Sequence, residues 1–333
     1  MDRYTEAVTV GIEISSFCWA FGLSKRTLYY WKHDLSAEGK VQKRDRKKSQ
    51  TPANKLTTAE RKEVEKALLQ PTWSDLSPRE IYYLMLDNEN RVIASISTFY
   101  RVARDCSLLA YRYKSAKQGL TLNRDKPVLV ATGSNQVWSW DVTQISTTRK
   151  TERFYLYVIM DIWSRFVVGW TLEEHEKSSI AIQLWKDALE SQLITGKGLV
   201  NHKDNGAIMT SGDMIKFVRD AEMVDSYSRA GVSDDNPFSE SLFRTIKYFR
   251  DFPERIESLA TGREYFNKYF SDYNFCHRHS GIQFLVPASR HHGEELTILN
   301  KRNLVLQAFA KKKSHRFSSK QKVFKPIVEV TIN

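Results

Sequence analysis

No apolar run in the 333-residue sequence approaches the roughly 18 to 20 residues that a membrane-spanning helix requires, and the opening Met1-Asp2-Arg3-Tyr4-Thr5-Glu6 has no apolar signal region. Cysteine is scarce. Cys18, Cys106 and Cys276 are odd in number and widely spaced, which argues against a disulfide framework and fits a reducing cytosol. Cys276-His277-Arg278-His279 and His291-His292 lack the Cys-x-x-Cys or His-x-x-x-His frame of a zinc site. Acidic residues are also in deficit: 39 Asp and Glu against 51 Lys and Arg leave a formal net charge of +12, which points to a polyanionic partner. Apolar residues, in contrast, reach 41%, ample for a sizeable core in a chain long enough for two or three domains.

The first 134 residues alternate between helical and basic stretches. Within residues 1–35, Gly22 suits a tight turn and Ser24 an N-cap, so short helices join as in a helix-turn-helix, with Lys25, Arg26, Thr27 and Tyr30 along the exposed face of the second. A basic helical hairpin with no DNA role satisfies the same pattern. Residues 36–55 hold Lys43, Arg44, Arg46, Lys47 and Lys48 and read as a basic linker able to neutralise phosphates. Over 56–108 the pairs Thr57/Glu60 and Ser77/Glu80 are capping signals, and a third helix follows Ser95 or Ser97, carrying Thr98, Tyr100, Arg101 and Arg104. This second helical bundle is followed by another basic linker over 109–134.

Residues 135–290 carry the side chains on which chemistry can be built. Three strands at about 136–145, 153–162 and 165–172, joined by short turns, read as antiparallel. A helix from Ser178, a strand ending at Asp204, a helix from Ser211, a short strand at Val224 to Tyr227 and a helix from Pro237 follow. Asp141 stands in mid-strand, where a charge needs a reason. Asp204 ends its strand just before Gly206, and Glu240 lies on an amphipathic helix with Phe238, Leu242, Phe243 and Ile246 as its apolar face. Arg244 and Lys247 follow Glu240 along that helix at spacings that share a face. Three carboxylates from two strands and a helix suit a two-metal phosphoryl-transfer site for Mg²⁺ or Mn²⁺. His202 and Asn205 flank Asp204 as supporting groups. Asp161 competes, but before Ser164-Arg165 a turn-capping or Arg-paired role is simpler, and Asp234 and Asp235 fall in a loop that would fix a carboxylate poorly. Further on, Tyr265, Phe266, Tyr269, Phe270 and Tyr273 form a helical core stripe, and residues 291–333 read as a basic tail with a terminal strand and a possible small β module.

Trp140-Asp141-Val142-Thr143, the run from Tyr155 to Arg165, Asp204-Asn205-Gly206 and Asn236-Pro237-Phe238-Ser239-Glu240-Ser241 with Lys247 resemble the retroviral-integrase-like DDE transposases. The resemblance, with 35 residues between Asp204 and Glu240, is strongest to the second-reading-frame (OrfB-type) transposases of bacterial insertion sequences and spans about residues 135 to 290. It implies an α/β RNase H-like catalytic core, a mixed sheet of three antiparallel and then parallel strands, preceded by all-α helix-turn-helix modules. It also implies that Asp141, Asp204 and Glu240 are catalytic and hold two Mg²⁺ or Mn²⁺ ions while insertion-sequence ends are cleaved and transferred to target DNA. Nucleic-acid contacts are expected from Lys247, Arg244, Asn236 and Arg229 near the acids, and from Lys25, Arg26 and Arg101 on the helical modules.

The implied partners are transposon ends and target DNA, a second copy of the chain on paired ends, and an upstream reading-frame protein or frameshift fusion, in a bacterial cytoplasm at the nucleoid. Two rival readings are a domesticated, catalytically silent DNA-binding protein and an RNase H-like nuclease. Because the helical modules precede about residue 108 and the acids follow it, DNA binding and catalysis are expected to be separable, with a fragment from about residue 130 still nicking DNA.

Overall fold

The computed structural model describes residues 2–33, 55–109, 129–149, 151–228, 236–314 and 323–332, in two compact units, Met1–Lys55 and Leu56–Asn333. Most of both stretches read as basic linkers lies outside the described residues.

The first unit holds α1 (Asp2–Thr9), α2 (Ile14–Ala20) and α3 (Lys25–His33). Gly22 adopts φ +62°, the left-handed region that favours glycine, and the Ser24 hydroxyl accepts from Thr27 N–H at 3.0 Å, so the turn and the cap fall where their residue types direct. Tyr4, Ala7, Phe17, Cys18 and Leu28 form its small core.

The second unit opens with α4 (Thr58–Leu68), α5 (Pro78–Asn88) and α6 (Ile96–Asp105); Thr57/Glu60 and Ser77/Glu80 close reciprocal capping boxes, and Ser95 caps α6. These helices do not bury their apolar faces only against one another. Ile81, Leu86, Phe99 and Val102 share one core with Ile282, Leu285 and Phe324 and with Leu299 and Leu306 of the late helix α12 (Glu295–Lys312). At the seam, Asp87 accepts from Arg302 Nε at 2.6 Å and Nη2 at 2.8 Å and from the Arg278 guanidinium, while Arg302 also lies over the Tyr83 ring.

The central sheet has the order β4-β3-β2-β5-β6. Its strands are β2 (Val137–Ser146), β3 (Arg153–Asp161), β4 (Val167–Glu173), β5 (Val200–Lys203) and β6 (Val224–Tyr227). The first three are antiparallel neighbours, and β5 and β6 add on parallel to β2. Trp138, Trp140, Tyr157 and Ile159 face α7 (Ser178–Ser191) and α8 (Gly212–Asp220), whereas Ile145, Leu156, Val158 and Met160 face α9 (Pro237–Lys247) and α10 (Leu259–Phe275). The aromatic stripe Phe266, Tyr269, Phe270 and Tyr273 is core, and the bare backbone of Gly262 lets α10 approach β4: a Cβ there would lie 2.5 Å from Leu172 Cδ2. The open edge of β4 is partly closed by Asn274, whose amide accepts from Val167 N at 2.8 Å and donates to Val167 O at 2.9 Å in place of a strand. A separate antiparallel pair joins β1 (Leu129–Ala131), inside the stretch read as linker, to β7 (Val330–Ile332) at the other end of the chain.

Candidate active site

β2 and β5 pair at Val137↔Val200, Trp138↔Asn201 and Ser139↔His202, after which the two strands part. Asp141 stands two residues beyond that last pair on β2, and Asp204 two residues beyond it on the chain leaving β5. Side chains alternate along β2, so Asp141 shares the face of Ser139, which is the face covered by α9, and the charge of Asp204, just past the end of β5, acts on the Asp141 carboxyl. The acids therefore flank a notch in the sheet. Glu240, exposed in the first turn of α9, stands over it.

The electrostatics report the same convergence. The Asp141 carboxyl is pushed up to about 7, first because burial strips its water and further because the charges of Asp204, Glu240 and Glu176 face it; a 2.7 Å bond from Val142 N–H works in the opposite direction. Asp204 is oriented by its own turn, with Oδ1 accepting from Gly206 N at 2.8 Å. A Cβ on residue 206 would lie 3.0 Å from that oxygen and 2.8 Å from Met209 Sδ, so a larger residue there would press on the Asp204 carboxylate and the Met209 side chain.

The donor set consists of hard carboxylate oxygens around a partly desolvated centre, the chemistry that Mg²⁺ and Mn²⁺ favour, and a bound cation would offset both the burial that chiefly raises Asp141 and the repulsion that adds to it. Among the described residues, no three His, Cys, Asp or Glu side chains are gathered closely enough to hold a metal ion as they stand. Like charges keep apart, and each aspartate has turned an oxygen to a backbone N–H. The donor types, hard carboxylate oxygens, fit such an ion.

The other expected site residues divide by position. Lys247 Nζ donates to Thr143 Oγ1 at 2.8 Å, on the same face of β2 as Asp141, and Arg244 is exposed beside the Tyr248 ring, so Glu240, Arg244 and Lys247 form one row along α9. Asn236, expected among the DNA contacts, is instead buried at 4% exposure with its amide bonded inside the protein, and a side chain sealed there has no surface to offer DNA. His202 is buried beside Ser139 with Nδ1 3.1 Å from Ser226 Oγ, and Asn205 donates to Ser228 O at 2.6 Å. Arg101 is exposed on α6 and bonds Thr98, and Lys25 and Arg26 are exposed at the start of α3 in the first unit. Arg229, Asp234 and Asp235 lie outside the described residues.

Asp161 takes no part in the cluster. It is fully buried and accepts from Asn135 N, Ser164 N and Ser164 Oγ, each at 2.7 Å, which is the turn-capping role expected of it. Glu176 escaped the sequence reading because it sits in the run Glu173-Glu174-His175-Glu176, which looks like a solvated connection. Tyr157 decides its place: that hydroxyl donates to His175 O at 3.1 Å and accepts from Lys177 N at 2.8 Å, fastening the β4–α7 connection beside Val142.

Comparison with known proteins gives the family to which this core is related. The integrase core domain family matches residues 131–233, and a second integrase core domain family matches residues 223–287. The transposase for insertion sequence element IS904 of Lactococcus lactis is 30% identical over 182 residues, 53% of this chain and 71% of that protein. Transposase InsF for insertion sequence IS3A of Escherichia coli is 32% identical over 161 residues, 47% of this chain and 54% of that protein. Among solved structures, the dimeric form of the HTLV-2 integrase catalytic core domain in complex with magnesium is a distant likeness, with 20% identity and a TM-score of 0.37 over 48% of this chain and 98% of that one.

Proposed function

The chain belongs to the insertion-sequence transposases with an integrase core domain, and from that premise we propose that it cuts and joins DNA at element ends with Asp141, Asp204 and Glu240 holding two divalent cations, Mg²⁺ or Mn²⁺. The observation that carries this reading is the notch where β2 and β5 part, with an aspartate two residues past the last pair on each side and Glu240 in the same electrostatic field. Cations bound there would supply Lewis-acid activation of a water or 3′-hydroxyl and stabilise the leaving 3′-oxygen of an in-line displacement.

The chain's own groups have separable parts in that chemistry. Asp141 is rooted in a central strand, Asp204 in a hydrogen-bonded turn and Glu240 in a packed helix, which fixes the backbone from which each carboxylate projects. Lys247, held at Thr143, and Arg244 offer positive charge to phosphates beside the acids, contacts that set register without reading bases. Residues 1–35 and 56–108, through Lys25, Arg26 and Arg101, are the DNA-binding modules of this reading. Two copies on paired ends, and a protein from an upstream reading frame or a fusion to it, complete the assembly at the bacterial nucleoid.

The test uses the full chain with Asp141→Asn, Asp204→Asn and Glu240→Gln, read by Mn²⁺ calorimetry and by nicking of a duplex that carries the element's ends. Each substitution is expected to abolish nicking and weaken Mn²⁺ binding without lowering the melting temperature. Nicking at the unsubstituted rate by any of the three overturns the assignment. End binding without cutting in Mg²⁺ or Mn²⁺ would make the chain a silent DNA-binding protein, and cutting of RNA–DNA hybrids without end preference would make it a nuclease.

A further inference from the structure

Asn236 occupies the N-cap position of α9, a place where asparagine ordinarily bonds the first free backbone N–H groups and contributes about 1 kcal/mol. Here it makes no such bond. Its side chain reaches across to the sheet instead: Ser139 Oγ donates to Asn236 Oδ1 at 2.5 Å, and Asn236 Nδ2 donates to Trp140 O at 3.3 Å. Ser239, in the first turn of α9, closes the set with its hydroxyl 2.7 Å from Ser139 Oγ. Because the single Ser139 proton goes to Asn236, Ser239 must be the donor in that contact. Asn236, Ser139 and Ser239 are exposed by only 4%, 0% and 4%, so water does not compete with the network.

The place of these bonds gives them a consequence. Gln136 O accepts from Val200 N across the β2–β5 seam, and by strand alternation the Trp140 carbonyl points to the same edge, beyond the point where pairing stops. Asn236 Nδ2 thus takes the rung that β5 leaves empty and stands in the notch as a substitute for the strand. On the sheet side the bonds end at Ser139 and Trp140, within two residues of Asp141. On the helix side they end at Asn236, whose carbonyl accepts from Glu240 N at 3.2 Å, and at Ser239, next to Glu240.

We infer that Asn236, Ser139 and Ser239 form a buried latch that sets the distance between Glu240 and Asp141, making them positioning residues for the cation centre. The inference rests on the reading of those acids as a cation site. Helix α9 is otherwise held to the sheet by Leu242, Phe243 and Ile246, apolar contacts that resist separation but allow small sliding, and at its far, exposed end by the Lys247–Thr143 bond, whereas the buried directional bonds to a serine and a carbonyl fix the first turn, which carries Glu240, in register. Cation binding is sensitive to this, because ligand distances tolerate only about 0.2 Å.

The experiment titrates Mn²⁺ into the full-length protein without DNA, by calorimetry and by electron paramagnetic resonance, for Asn236→Ala, Ser139→Ala, Ser239→Ala and the Asn236→Ala/Ser139→Ala pair. Asn236→Ala and Ser139→Ala are expected to weaken Mn²⁺ binding about tenfold, and the pair no more than the worse single change, since they break one network. A merely structural role would lower the melting temperature of the metal-free protein and leave Mn²⁺ affinity untouched, which overturns the inference. If Asn236→Ala does not fold, Ser139→Ala, which loses one buried oxygen, decides; if neither folds, Ser239→Ala decides, with a severalfold loss of affinity supporting the latch and none refuting it. The control is Glu240→Gln. Binding lost there but kept in the latch variants refutes the latch and leaves the site standing, while an unsubstituted protein that binds no Mn²⁺ refutes the site itself.

Discussion

Removing residues 1–108 should unfold the remainder of the protein, whereas removing residues 1–55 should not. The first unit has a core of its own, and none of its residues belongs to the core shared by α4–α6. The α4–α6 bundle covers Ile282, Leu285, Leu299, Leu306 and Phe324. Exposing a buried side chain of this size costs about 1.5–3 kcal/mol, so the five together cost roughly 7–15 kcal/mol, as much as the whole stability of an ordinary domain. Arg302, whose side chain is 0% exposed, would also lose Asp87, and stripping one partner from a buried pair costs a further 3–5 kcal/mol or so. Thermal unfolding followed by near-ultraviolet circular dichroism, with limited proteolysis, distinguishes the two truncations. Residues 56–333 should melt cooperatively, and residues 109–333 should show no transition and be digested. A cooperative transition in residues 109–333 together with metal-dependent nicking would refute the shared-core reasoning and restore the separability that the order of segments suggests.

Glu240→Gln, which keeps the side chain's volume, should lower strand transfer at least about a hundredfold, or ~2.7 kcal/mol of transition-state stabilisation, with no change in melting temperature; Glu240→Asp should fail as well, and normal transfer by either would remove Glu240 from the site. Lys247→Ala should weaken DNA binding evenly across sequences and reduce the slope of log affinity against log salt by about one, so an unchanged slope would mean that Lys247 meets no phosphate. His291 donates from Nε2 to Gln192 Oε1 at 2.7 Å, has Nδ1 2.9 Å from Ser164 Oγ and stacks on Phe166, and burial with His292 nearby lowers its pKa to about 4; Asp161 Oδ1 at 3.9 Å does not reverse this, because burial pushes that carboxyl up. Only the unfolded chain takes up that proton between about pH 6.5 and 4, so stability should fall as pH drops through this window, by up to about 3 kcal/mol. His291→Gln should flatten that part of a stability–pH curve, and an unchanged slope would refute the assignment.

What the sequence determined by itself was local. Thr57/Glu60 and Ser77/Glu80 close capping boxes with partners three residues away, and Gly22 and Ser24 make their turn and cap within a few residues. The β-branched and aromatic run through Asp141 and the Pro237 helix through Glu240 likewise declare strand and helix from their own residue types, so the acids could be picked out before any contact was known. Tertiary structure decided whatever depends on which distant surfaces meet. The Ser139↔His202 register places Asp141 and Asp204 at equal distance past the seam, and nothing in either strand encodes where their pairing ends. Leu299 and Leu306 look the same in sequence whether they cover a sheet or receive the α4–α6 bundle, and β1 and β7 find each other across nearly the full chain. Asn236 reads from the sequence as a DNA contact. It turns inward because the Trp140 carbonyl at the parting of two strands needs a donor, and that need arises only when the sheet has formed.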